Sequence, residues 1–165
     1  MIALGVDSGS RCTGFGVVER RGGRDRALAY GAVRLPADLP HPQRLLKIHE
    51  RLKDLIEEHR PDVAALEGVF VAGNVQSALK LGQVRGAVMV TCAAAGVPLL
   101  EFSPAEVKTA VAGYGRAEKR QVQSMVKAIL ALESLPSPFD AADALALALC
   151  ALSASFSPFA PRRRP

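Results

Sequence analysis

Residues 138–149 read PFDAADALALAL, and apolar residues continue to Leu152. Leu135-Pro136-Ser137-Pro138 breaks the chain just before this stretch, so a helix starts there. A helix this uniformly apolar is buried nearly all round. Yet it carries Asp140 and Asp143, three residues apart and therefore on one side. Both sit near its start, where the helix dipole favours negative charge. Asp140 alone would read as an N-cap or first-turn acid. Asp143 stands among alanines and leucines, where a carboxylate is costly unless it is paired or bound to a cation. The fold therefore turns on what this helix lies against.

Working back from it, the chain alternates strand and helix signals. Ile2 to Val6, Thr13 to Val18 and Ala27 to Leu35 are β-type runs separated by turn-rich pieces that include Gly22-Gly23. They predict a three-strand antiparallel meander. Leu45, Ile48, Leu52, Leu55 and Ile56 recur at helical spacing, and that helix stops before Pro61. Val63 to Leu66 is a fourth strand, ending at Glu67. A long helix follows from about Asn74 to Ala95, with Gly96 beyond its end. Pro98 to Phe102 is the fifth strand. Ser103-Pro104-Ala105-Glu106 opens a helix with a capping box. Gly113-Tyr114-Gly115 is a loop, and a helix from about Glu118 to Leu132 precedes the final one. The expectation is one α/β domain over 1–153, a five-stranded mixed sheet flanked by helices. Residues 154–165, rich in Ser, Pro and Arg, are expected to form a flexible basic tail.

The bulk numbers agree. The chain has 165 residues, 49% hydrophobic and 22% charged, enough for one domain with a sizeable core. The first residues lack the pattern of a signal peptide, and the Ala/Leu run from Ala144 to Leu152 is too short to span a bilayer. Cys12, Cys92 and Cys150 have no zinc or disulfide spacing and read as buried thiols in a reducing cytoplasm. A net charge of +5 favours an anionic partner, nucleic acid first, although Arg162, Arg163 and Arg164 supply three of those charges.

Two more acids complete a pattern. Asp7 ends the first strand and Glu67 the fourth, each after an apolar run. If those strands are parallel neighbours, both acids emerge at one sheet edge, where sites form in open α/β sheets. Four carboxylates without paired histidines are hard oxygen ligands suited to Mg²⁺ or Mn²⁺. Two such ions can serve both sides of a phosphodiester, which points to a metal nuclease.

The ordered set of motifs resembles the RuvC family of Holliday junction resolvases. It comprises Asp7-x-Gly9-Ser10-Arg11-x-Thr13-Gly14-x-Gly16, Glu67-x-x-Phe70, Asn74-x-x-Ser77-Ala78-Leu79-Lys80-Leu81-Gly82-Gln83-x-Arg85-Gly86, Val107-Lys108, Ala117-Glu118-Lys119-x-Gln121-Val122-Gln123-x-Met125-Val126 and Asp140-Ala141-Ala142-Asp143-Ala144-Leu145-Ala146. They run in order from about residue 2 to 152. The resemblance implies a ribonuclease H-like fold and a homodimer that nicks a four-way DNA junction symmetrically, leaving 5′-phosphate ends. It implies that Asp7, Glu67, Asp140 and Asp143 hold the metal, Mg²⁺ or Mn²⁺, two ions per site. It also implies work beside the RuvA and RuvB branch-migration proteins, with no membrane.

By the same resemblance, Lys108 and Lys119 are active-site lysines that could hold the scissile phosphate. Phe70 would stack on unpaired bases. Ser10, Arg11, Asn74, Lys80 and Arg85 are further candidate DNA contacts, with Thr13 in the same polar turn as Ser10. Lys80 and Arg85 read equally as surface or dimer-edge charges. Gly82 and Gly86 allow close packing, on a second copy or on the chain's own sheet. His41, His49 and His59 read as surface histidines. Ser8, Gly68 and Gly73 depart from the family pattern without removing an acid. Three rivals stand beside this reading. An actin-like ATPase would share the Asp7-Ser8-Gly9 start but needs a much longer chain. A binding-only module of the same fold would lose acids. A ribonuclease H-like enzyme acting on structured RNA is the nearest alternative.

Overall fold

The computed structural model describes residues 1–68 and 75–155. Five strands and five helices are β1 (Ile2–Asp7), β2 (Cys12–Arg21), β3 (Arg24–Arg34), α1 (His41–His59), β4 (Val63–Glu67), α2 (Val75–Ala94), β5 (Leu99–Phe102), α3 (Pro104–Ala112), α4 (Lys119–Ile129) and α5 (Phe139–Ser155). The strands form one sheet in the order β3-β2-β1-β4-β5. The meander β1-β2-β3 is antiparallel, and β4 and β5 join parallel to β1. This is the mixed five-stranded sheet that the alternating signals predict.

Side chains alternate across the sheet, so each strand feeds two cores. Ala3, Val18, Val63 and Ala65 pack with α3, α4 and α5 on one face. Leu4, Val6, Phe15, Val17, Ala64 and Leu66 pack with α1 and α2 on the other. Helix α5 lies on β1 and β2. From Ala141 to Leu152, every residue but Asp143 is buried.

Several boundaries differ from the sequence reading. The β2–β3 hairpin runs out to Arg21 opposite Arg24, well beyond the apolar cores of the two strands. Gly22 and Gly23 both take positive φ, 59° and 75°, the backbone of a tight two-residue hairpin turn. The charged arms are held by cross-strand pairs: Arg20 forks onto Asp25 at 2.6 Å, and Arg26 faces Glu19 at 3.4 Å. Helix α4 ends at Ile129, three residues short of the expectation, because Ala131 turns to positive φ. Helix α5 continues through Ser153 to Ser155, where a loose tail was expected to begin; the Ser153 hydroxyl bonds back to the Leu149 carbonyl. Residues 156–165 of the expected tail lie outside the described residues. The capping box on α3 forms: Glu106 N–H donates to Ser103 Oγ, and Ser103 N–H donates to the Glu106 carboxylate at 2.7 Å.

The histidines are not plain surface groups. His49 Nδ1 meets Thr91 Oγ1 at 2.8 Å, joining α1 to α2, and the His59 side chain is mostly covered.

Candidate active site

Strand alternation aims the acids. On β1, Ala3 and Gly5 face α5, and Asp7 follows two residues on. On β4, Val63 and Ala65 face the same way, and Glu67 follows two residues on. Parallel pairing sets Val6 beside Leu66, so Asp7 and Glu67 leave the sheet at one edge. Helix α5 brings Asp140 and Asp143 there, and it comes close because glycines line its path. A Cβ on Gly5 would stand 1.9 Å from the Ala144 carbonyl oxygen. A Cβ on Gly14, which pairs with Asp7, would stand 1.9 Å from the Asp140 carbonyl oxygen. These two glycines let backbone meet backbone and bring the helix start up against the end of β1.

Asp7, Glu67 and Asp143 line one pocket of about 230 Å³ together with Lys108 and Lys119. Pro104, Val107, Val122 and Leu147 supply its apolar wall. Asp140 stands at the margin beside Cys12, whose thiol is pushed up to about 11 by burial and then by that carboxylate.

Crowding governs the charges. Asp7 is raised from 3.8 to about 7, first by burial and then by repulsion from Asp143, Glu67 and Asp140, with Lys119 pulling the other way. Glu67 is raised by burial and by Asp143. Asp143 is raised by burial, against the pull of Lys119. Lys119 in turn is raised by Asp143, whose Oδ2 lies 3.4 Å from Nζ. The lysine side chain is 71% exposed, so this pair is weak. A half-buried cluster of oxygen acids short of positive charge fits a hard divalent cation. Among the described residues no three such side chains already converge as a ligand cage, so the carboxylates would have to draw together around an ion.

The other candidates separate. Ser10 is half-buried, and Arg11 and Lys80 are exposed. Thr13 is fully buried and donates to the Gly9 carbonyl at 2.9 Å, so it braces the turn and offers nothing to a phosphate. The Arg85 guanidinium is not a free surface charge; it donates to the Glu67 carbonyl and to Glu101 Oε2. Phe70, Asn74 and Gly73 lie outside the described residues. Among the described residues nothing lies within contact of a Cβ placed on Gly82 or Gly86, so they are not packed on the sheet. Sequence reasoning missed Glu101 and Gly5. Alternation along β5 was the one signal for Glu101, and the small residue opposite a buried helix was the one for Gly5.

Residues 3–151 match the family model described as Crossover junction endodeoxyribonuclease RuvC. The chain is 52% identical over 151 residues to Crossover junction endodeoxyribonuclease RuvC of Thermomicrobium roseum, covering 91% of each chain. Its fold superposes on a Thermus thermophilus RuvC structure with a TM-score of 0.85 at 37% identity, covering 94% of this chain and 95% of the other. Thermus thermophilus RuvC in complex with a Holliday junction substrate gives a TM-score of 0.86 at 34% identity over the same shares.

Proposed function

This chain belongs to the RuvC family of crossover junction endodeoxyribonucleases, and on that premise we propose how its own residues carry the reaction. It is a structure-selective endonuclease that resolves four-way DNA junctions by paired nicks, in homologous recombination and DNA repair. The observation that carries the residue assignment is one pocket shared by acids from β1, β4 and α5 and by Lys108 and Lys119.

Divalent-metal dependence comes with the family. Asp7, Glu67, Asp140 and Asp143 would hold two Mg²⁺ per site, with Mn²⁺ an acceptable substitute for the same oxygen donors. Such ions supply Lewis-acid activation of water and stabilisation of the leaving 3′ oxygen. Lys119, tethered to Asp143 by one weak contact, keeps donors free for the scissile phosphate. Lys108 offers a second positive charge from the same pocket. The apolar wall of Val107, Val122 and Leu147 limits water and strengthens every charge interaction inside. Ser10, Arg11 and Lys80 would touch the DNA backbone, and Phe70 and Asn74 would act at the junction centre. Action beside RuvA and RuvB and a cytoplasmic location belong to the same reading. Among the described residues no helix is long and apolar enough to cross a membrane.

The test is cleavage of a labelled mobile four-way junction in Mg²⁺, beside linear duplex and structured RNA. The expected result is symmetric nicks with 5′-phosphate ends on the junction alone. Cleavage of structured RNA in preference to the junction would favour the ribonuclease reading.

Paired nicks on a two-fold substrate call for two sites related by two-fold symmetry, and α2 carries a surface for it. Leu79, Gly82, Gly86, Met89 and Val90 recur on one stripe, with Leu79 63% and Val90 66% exposed. The small residues leave room for a second helix and the large ones supply apolar contact. The double variant Leu79→Asp, Val90→Asp is expected to sediment as a folded monomer. Its yield of doubly nicked junction should fall at least about tenfold, because a lone site cannot couple the two cuts. A variant that stays dimeric and fully active would remove α2 from the interface.

A further inference from the structure

We infer that Arg85 is a positioning residue for the nuclease: from the opposite face of the sheet it holds the end of β4 so that Glu67 is presented to the pocket. The inference rests on the assignment of Glu67 as one of the four acids.

The geometry has three parts. First, Glu67 is the last residue of β4 and is supported unevenly. The ladder to β1 ends at Val6 opposite Leu66, one residue short, whereas the ladder to β5 runs on to Glu67 opposite Phe102. Second, Arg85 takes up that end. Its Nη1 donates to the Glu67 carbonyl oxygen and its Nη2 to Glu101 Oε2 at 2.7 Å. One planar fork therefore spans the ends of two neighbouring strands. Third, it does so from behind. Leu99 packs in the core beneath α1 and α2, and Glu101, two residues on, shares that face. The Glu67 side chain follows Val63 and Ala65 toward α5. The Arg85 side chain is 12% exposed, so it acts on the acid through the main chain and stands apart from the scissile strand.

A charge-assisted fork on a strand end limits how far that end can rotate. Partners that orient metal-binding carboxylates in this way typically matter 10–100-fold in metal affinity or activity. A neutral replacement removes both donors at once. Lysine can satisfy one acceptor but not both with a fixed plane.

The experiment uses the full chain as wild type, Arg85→Gln, Arg85→Lys, Glu101→Gln and Glu67→Gln. Three quantities are measured: single-turnover junction cleavage against Mg²⁺ concentration, junction affinity in Ca²⁺, and Mn²⁺ binding to the protein alone by calorimetry. Arg85→Gln is expected to lower the cleavage rate about 10–100-fold and to weaken Mn²⁺ binding about tenfold. Its junction affinity should stay within about twofold, and Arg85→Lys should recover part of both losses. Should Arg85→Gln fail to fold, Arg85→Lys and Glu101→Gln carry the same comparison, each with a smaller loss in the same direction. Unchanged Mn²⁺ binding and cleavage rate in the Arg85 and Glu101 variants, with Glu67→Gln inactive, would overturn the positioning role and leave the Glu67 assignment standing. Weakened junction affinity with an unchanged rate at saturation would make Arg85 a DNA contact and overturn it equally. Full activity in Glu67→Gln would instead overturn the acid assignment on which it rests.

Discussion

Asp7→Asn is expected to abolish junction cleavage and, in the same molecule, to stabilise the metal-free fold. Both effects have one cause. Asp7 sits at the end of β1 among three other acids, and burial with their repulsion raises it from 3.8 to about 7. A carboxyl whose folded pKa lies above its unfolded value binds an extra proton when folded. The metal-free protein therefore loses stability as pH rises from about 4 to about 7, and the loss is complete above 7. At about 1.36 kcal/mol per unit, the cost approaches roughly 4 kcal/mol, shared across the coupled cluster. Asparagine keeps the shape and drops the charge, so the variant should gain about 2–4 kcal/mol at pH 8 in EDTA. That gain should shrink toward zero below about pH 3, where Asp7 is protonated in both the folded and the unfolded state. Denaturant melts at the two pH values read it directly. Adding Mg²⁺ should raise wild type far more than the variant. Metal binding has to displace the Asp7 proton, so half-saturation should rise about tenfold per pH unit below 7. Cleavage should fall at least about 10³-fold, the rate equivalent of losing several kcal/mol of charge stabilisation. Equal stability in EDTA at pH 8, or near-normal cleavage, would remove Asp7 from the charged centre.

Gly14→Val is expected to cost about 3 kcal/mol or more and to reduce cleavage about 100-fold with all four acids intact. The first carbon of any side chain there would stand 1.9 Å from the Asp140 carbonyl oxygen and 3.0 Å from its Cβ. Backbone cannot rotate aside as a side chain can, so α5 has to lift by on the order of an ångström to restore ordinary contact. That lift carries Asp140 and Asp143 away from Asp7, and misplacement on this scale is what costs catalysis. Denaturant melts and single-turnover cleavage at saturating junction separate the two losses. A stable and fully active Gly14→Val would show that the seating of α5 does not set the distance between the acids.

The fold was legible where a signal is local. The helical period of Leu45 to Ile56, the Ser103 to Glu106 cap and the unbroken apolar run of α5 each declare an element within one or two turns. The outer hairpin was not, because Glu19 to Arg26 look like loop by composition, and cross-strand pairs such as Arg20 with Asp25 hold them extended. The acids were legible for a related reason. An acid closing an apolar strand, or interrupting a buried helix, violates its own local pattern, and Asp7, Glu67 and Asp143 all do so.

The sequence alone therefore determined the class of element at most stretches, the outer hairpin and the last turn of α5 excepted, the four candidate acids and, through its ordered motifs, the family. These are properties of neighbours along the chain, set by periods of two and 3.6 residues. Tertiary structure alone decided that Thr13 is interior, that Arg85 grips the Glu67 strand end from behind the sheet, that Gly5 and Gly14 seat α5, and that Asp7 holds its proton to about neutral pH. Each of these depends on the distance and burial of groups brought together from separate elements, and no residue's immediate neighbours in the chain encode that.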